Sequence, residues 1–169
     1  IYKDIIMKDV VIRWDIKNVS EIEDFCFYLI STITNEYNYN SLKKYVQIKD
    51  SKTIKQYINY LCKTYLFFEV FQFDYSLNKQ RKRNKKIYTL DNGFITQIGY
   101  SFSVGKPRYL ENIVFVELKR RSKEVYFYKD EKNQECDFLI VENKKVKEAI
   151  QVCYAFKNEE TKEREIKGL

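Results

Sequence analysis

Residues 135–154 constrain this chain more than any other stretch. Apolar β-formers fill both ends of it, while Glu142, Asn143, Lys144 and Lys145 supply a polar turn between them. The chain therefore runs out, reverses and returns as two paired strands. Side chains two residues apart share a face. Asp137 then sits with Leu139 and Val141 on the first strand, and Ala149, Gln151 and Cys153 share one face of the second. An acid on one strand is set beside a polar i,i+2 pair on the next. Cys136 and Cys153 are expected on opposite faces, so no disulfide should join them.

The chain has 169 residues, enough for one ordinary domain or two small ones with a usable core. With 12 Phe and 15 Tyr against 4 Gly and 1 Pro, it reads as ordered, without a flexible linker. A net charge of +7 favours an anionic partner, nucleic acid first, and is equally compatible with plain solubility. The chain has no histidine, which excludes histidine acid–base and triad chemistry. Cys26, Cys62, Cys136 and Cys153 have no short paired spacing, so structural zinc is not expected either. The first three lie among apolar residues and read as reduced, buried thiols of a cytoplasmic protein. No stretch is apolar enough to span a membrane or form a signal peptide, and no membrane partner is expected. The chain opens on Ile1 in mid-pattern, as a piece of a longer protein would.

Ile6, Val10 and Trp14 at fourfold spacing predict a helix over 2–14. Ser20 followed by Glu23 has the signature of a capping box, with Ile22, Phe25, Cys26, Leu29, Ile30 and Ile33 repeating at helical spacing. Leu42, Tyr45, Val46 and Ile48 predict a short second helix. Asp50 or Ser51 caps a third, which turns Ile54, Ile58, Leu61, Cys62 and Tyr65 inward and leaves Lys52, Thr53, Lys55, Gln56, Asn59 and Lys63 outward. Two strands, over 67–75 and 87–90, then flank a loop holding Lys79, Arg81, Lys82, Arg83, Lys85 and Lys86.

Three helices followed by a hairpin describe a winged helix-turn-helix over 17–98. In that geometry the third helix enters the major groove and the hairpin lies along the phosphate backbone. Lys52, Thr53, Lys55, Gln56 and Asn59 are therefore candidate base and phosphate contacts, the cations of the tip candidate backbone contacts, and duplex DNA the expected partner. A solvated helix face with a charged tip, or a surface for protein contact, would carry the same residues.

Gly99, Gly105 and Pro107 place a boundary at 99–107. Beyond it, Leu110, Val114, Glu117, Leu118 and Arg121 predict a helix, 124–129 a strand, and 158–169 a charged helix with i,i+4 pairs such as Glu160 to Arg164. The second half thus runs helix, three strands, helix, and the chain as a whole is α+β.

With Glu111 in the helix, Asp137 on the second strand and a polar pair on the third, this half resembles the restriction-endonuclease-like PD-(D/E)XK fold, without its last strand. Residues 110–121, 124–128, 135–138 and 150–154, with Asp91, Asn92, Gly93 and Phe94 after the hairpin, are similar to one family in particular. They resemble the C-terminal half of archaeal and bacterial AAA-type ATPases, in which a P-loop module precedes a winged helix and an endonuclease-like domain of unknown function. The resemblance runs from about residue 9 onward. It implies that 1–16 is the tail of the ATPase lid, 17–98 the winged helix and 99–169 the endonuclease-like domain. It also implies ATP and magnesium in the ATPase module. No glycine-rich run ending in Lys-Ser or Lys-Thr occurs in this chain, so no such cofactor is expected here.

In active members of the endonuclease-like fold, carboxylates hold Mg²⁺ and a third-strand lysine orients the attacking water. Glu111 and Asp137 match the acids and are the candidate metal ligands. Gln151 stands at the second carboxylate and Cys153 at the lysine, which makes the set degenerate. Lys119 and Lys147 are alternative sources of the cation, and Asp137 is also readable as a strand-end carboxylate paired with an arginine. The resemblance implies a non-catalytic, regulatory and DNA-binding portion of the ATPase. Docking on the ATPase core or other subunits, and a divergent magnesium-dependent nuclease, are the alternatives.

Overall fold

The structure, a computed structural model, describes residues 1–100, 105–121 and 123–154, and the charged helix expected over 158–169 lies outside the described residues. A single α-helical turn, α1 (Tyr2–Asp4), widens into a π-wound stretch, Ile5–Ile12, which buries Ile6, Val10 and Val11. The wider winding brings Val11 onto the inward face. Trp14 is left half-buried, its ring stacked on Tyr60 at 4.4 Å. Helix α2 (Val19–Ser31) buries Ile22, Phe25, Cys26, Leu29 and Ile30, the stripe that its spacing predicts. Its cap is Asn18, whose side chain accepts from the Glu21 N–H, and the Ser20 hydroxyl also donates to Asn18. The expected capping box from Ser20 to Glu23 therefore gives way to a cap two residues earlier.

A two-residue strand, β1 (Glu36–Tyr37), precedes α3 (Tyr39–Leu42), where Asn38 and Ser41 form the reciprocal capping box. The second helix thus starts before the 42–48 stretch that its apolar residues suggested. Helix α4 (Ser51–Lys63) starts at Asp50, whose carboxylate accepts from the Lys52 N–H, and buries Ile54, Tyr57, Ile58 and Leu61.

Strands β2 (Phe67–Phe71) and β3 (Lys85–Thr89) form an antiparallel hairpin, and β1 pairs on the other side of β3 to complete a three-stranded sheet. Their connection folds into a short helix, α5 (Leu77–Lys82). Asp74 closes its base by accepting from the Ser76 N–H and pairing with Arg83 at 2.9 Å. Lys85 and Lys86 belong to β3 and not to the loop, a correction to the basic tip read from sequence. Alternation along β3 sends Lys85 and Ile87 to one side and Lys86 and Tyr88 to the other.

After α6 (Asn92–Gln97), capped by Asp91, comes α7 (Lys106–Arg120), whose Pro107 sits in the first turn, where a missing N–H costs nothing. A second antiparallel sheet runs in the order β4 (Glu124–Lys129), β5 (Glu135–Glu142), β6 (Lys145–Ile150). Asn143 and Lys144 turn β5 into β6 with φ of 52° and 63°, the left-handed pair that suits strand twist in a two-residue hairpin. Strand β6 ends at Ile150, so Gln151 and Cys153 lie beyond the sheet and not on its last strand as expected.

The chain is therefore a mixed α/β structure with two three-stranded antiparallel sheets. Its second core joins Val70 and Tyr88 of the hairpin to Phe115 and Leu118 of α7 and to Phe127, Phe138 and Ile140. Tyr88 stacks on Phe115 at 4.3 Å, and the Phe73 N–H donates to the Phe127 carbonyl at 2.7 Å. Asn112, fully buried on α7, exchanges two 3.0 Å hydrogen bonds with the backbone of Thr89. The hairpin is consequently packed on both faces, with one cleft beside β3 and another along the outer edge of β2. No helix among the described residues is long and apolar enough to cross a membrane.

Candidate functional site

The first cleft is built where β3 meets α7 and β5. Because Lys86 shares the Tyr88 face, its ammonium comes to lie 5.4 Å from the ring centre of Phe127, a residue of the second core, and reaches the carboxylates beyond. The Lys86 Nζ lies 3.0 Å from Glu111, 2.5 Å from Glu135 and 3.7 Å from Asp137, with only 4% of the side chain exposed. The Tyr88 hydroxyl donates to the same Glu111 oxygen at 2.7 Å. Burial works against the Lys86 cation, but the carboxylates around it prevail and hold its pKa above the ordinary lysine range. Burial, reinforced by Glu111, lifts Asp137 to about 6, although Lys86 and the Val152 N–H pull the other way.

Gln151 and Val152 complete the cluster from beyond β6. The Asp137 N–H donates to the Gln151 side chain at 3.2 Å, and the Val152 N–H donates to the Asp137 carboxylate at 2.8 Å. Lys129 extends the network by pairing with Glu36 and lying 4.0 Å from Glu135. The cleft above these groups has a volume of about 660 Å³ and is also lined by Arg108 and Lys132.

The structure thus brings Glu111, Asp137 and Gln151 together, as the sequence expectation required, and leaves Cys153 with no part in the cluster. The cation among them is neither Lys119 nor Lys147, and Asp137 has a lysine partner where an arginine was considered. Sequence reasoning missed Glu135 and Lys86. Glu135 was accessible as the i−2 neighbour of Asp137 on the same strand face. Lys86 was hidden in a run of basic residues.

Magnesium fits this arrangement poorly. The three carboxylates are the right donors for a hard cation. The Lys86 ammonium already stands among them, however, and the Gln151 oxygen is engaged by the Asp137 N–H. No group of three or more metal-ligating side chains among the described residues is arranged to hold an ion.

The second cleft lies on the opposite side of β2. Its walls are α4 on one side and α7 with β4 on the other, and its volume is about 1030 Å³. Lys52, Lys55, Gln56, Asn59 and Arg81 line it together. Lys119 of α7 joins them, a residue that sequence reasoning did not connect with this face. Lys52, Lys55, Arg81 and Lys119 are exposed, and none pairs with a carboxylate among the described residues. Gln56 donates to the Tyr60 hydroxyl one turn along.

The other candidate contacts fall elsewhere. Thr53 is half-buried outside the groove, and Lys79 and Lys82 are exposed on α5. Arg83 is held by Asp74. Lys85 is buried, its ammonium donating to the Arg81 and Arg83 carbonyls at 3.2 and 2.8 Å, so it caps the end of α5. Burial holds its pKa below the ordinary lysine value. Lys85 and Lys86 are therefore withdrawn as surface phosphate contacts.

Residues 1–102 match the family described as a domain of unknown function (DUF8612), and residues 106–169 match a second domain of unknown function (DUF4143). An uncharacterized protein of Methanocaldococcus jannaschii is 40% identical over 172 residues, covering 97% of this chain and 37% of the relative. An uncharacterized protein of Haemophilus influenzae is 26% identical over 160 residues, covering 92% of this chain and 39% of the relative. The chain spans well under half the length of the curated relatives it matches. No solved structure matches it. By the match over its first 102 residues, the chain belongs to the family of the domain of unknown function DUF8612.

Proposed function

We propose that this chain is the nucleic-acid-contacting C-terminal portion of an AAA-type ATPase, working in the cytoplasm. In this reading α2, α3 and α4 with the β2–β3 hairpin are a winged helix, and α7 with β4, β5 and β6 is an endonuclease-like unit that has lost catalysis. ATP and magnesium would belong to the ATPase module of the whole protein. The observation that carries the reading is the gathering of Lys52, Lys55, Arg81 and Lys119, free of ion pairs among the described residues, around the Gln56 and Asn59 amides. Unpaired cations around a concave surface attract a polyanion at long range, and amides can read base edges.

The acid cluster supports the non-catalytic half of the proposal. A nuclease needs its carboxylates available to a metal ion, and here Glu111, Glu135 and Asp137 already surround an ammonium. Magnesium-dependent cleavage of DNA by the full-length protein would overturn this half. A docking role on the ATPase core draws support from Phe27 and Tyr45, 45% and 67% exposed beside a cleft along α2.

Salt dependence separates docking from nucleic-acid contact. Affinity of the full-length protein for labelled DNA should fall steeply with salt, and alanine at Lys55, Arg81 and Lys119 together should reduce the log–log slope by roughly one unit per lost phosphate contact. Salt-independent binding, or a slope unchanged in the triple variant, would move the function to docking.

A further inference from the structure

The outward face of α4 does not stand clear of the molecule. Phe115 and Lys119 of α7 and Val125 of β4 rise across from it, and the free edge of β2 forms the floor between the two walls. A winged helix reads a duplex by placing its third helix in a major groove about 12 Å wide, roughly the diameter of the helix itself. With residues of α7 and β4 lining the same cleft, the outward face of α4 is one side of a concave groove and not a free-standing ridge. The volume, about 1030 Å³, is that of a large small-molecule site and suits a few nucleotides of one strand.

We infer that the groove takes single-stranded nucleic acid, with bases stacked on Tyr65 and Phe68 and phosphates on Lys52, Lys55, Arg81 and Lys119. This rests on the reading that the α4 face contacts nucleic acid, and it replaces the duplex partner expected from sequence. The groove combines the chemistry that a single strand requires, with cations and aromatic rings along one lining. Tyr65 and Phe68 lie 6.3 Å apart and tilted, and Tyr65 is 68% exposed.

Tyr65 also follows the C-cap of α4 with a φ of 60°. That place normally falls to glycine or asparagine, because a bulky side chain is strained there. The Tyr65 ring touches Phe68 on one side and stays exposed at this strained position, which leaves it open to a base. Glu69, the carboxylate on the floor, is held by the hydroxyls of Tyr37 and Tyr39 at 2.7 and 2.9 Å. An acidic extended peptide would meet the same cations and the edge of β2. The exposed Tyr65 ring, with the half-buried Phe68 ring beside it, favours bases over such a peptide.

The test is fluorescence anisotropy of the full-length protein with labelled oligothymidylate, alone and annealed to oligoadenylate. The single strand should bind roughly tenfold more tightly than the duplex. Tyr65→Asn, which suits the local φ, should weaken the strand by roughly tenfold and leave the duplex unchanged, while Tyr65→Phe keeps the parent affinity. Duplex bound as tightly as strand, or Tyr65→Asn without effect, overturns the single-strand assignment and leaves nucleic-acid contact standing. Binding of neither overturns both. Polyglutamate displacing the strand at equal concentration makes the groove a peptide site and also overturns the inference.

Discussion

Replacing Lys86 with methionine should expose how the two halves are held together. The ammonium lies 3.0, 2.5 and 3.7 Å from Glu111, Glu135 and Asp137. At an effective dielectric near 20, each such contact is worth about 4–7 kcal/mol of attraction, and most of that is offset by the desolvation of the charges. Methionine fills a similar volume but leaves the carboxylates facing one another without a cation. Removing one side of a buried ion pair costs about 3–5 kcal/mol, and that is the loss expected in urea unfolding followed by circular dichroism at about pH 8.

The pH dependence carries the diagnostic sign. Lys86 has a raised folded pKa, so its contribution is fully present below the ordinary lysine value and is lost only as pH climbs through the higher one. In Lys86→Met, burial and mutual repulsion raise the carboxylate pKa values. The penalty is then present above those values and eases as pH falls through them. The parent already contains a smaller version in Asp137, raised from 3.8 to about 6, whose penalty develops as pH rises through that window. The variant should therefore recover part of its deficit at about pH 5, and Glu111→Gln added to Lys86→Met should recover part of it at about pH 8. A loss below about 1 kcal/mol, or a loss equal at both pH values, would refute the reasoning.

Asn112→Leu should cost about 2–3 kcal/mol by the same unfolding assay, because it strips the Thr89 N–H and carbonyl of their partners in a buried place. In the connection between β2 and β3, Arg81→Ala should lower the salt slope of nucleic-acid binding while Arg83→Ala should not, since Arg83 is engaged by Asp74 and Arg81 lines the groove.

Local signals were legible in the sequence wherever the physics was local. The stripes of α2 and α4, the Asp50 cap, the β2–β3 hairpin and the Asn143–Lys144 turn each depend on residues a few positions apart. Competing local signals were not resolved: Asn18 and Ser20 are both good caps, and only tertiary packing decides which residue starts α2. The basic run near residues 79–86 looks uniform, yet strand alternation divides it. Lys85 turns back to cap α5, and Lys86 turns away into the acids. The partners of Lys86 lie at positions 111, 135 and 137, so no local pattern announces them. Helix α6, six residues long with Gly93 inside it, and strand β1, two residues long, are too short for periodicity to reveal. Residues 67–75 read as strand and Tyr65 as an inward residue of the third helix, whereas the structure places Tyr65 just beyond the C-cap of α4 with 68% of it exposed. Its exposed ring became visible once α7 and β4 were seen to form the facing wall.

The most direct measurement of where nucleic acid sits is photocrosslinking of an iodouracil-substituted strand to the full-length protein, with adducts mapped by mass spectrometry. The groove predicts adducts on Tyr65, Phe68 and neighbouring residues of α4. Adducts confined to the cleft around Glu111, Glu135 and Asp137 would place the polymer at the acid cluster and contradict the account.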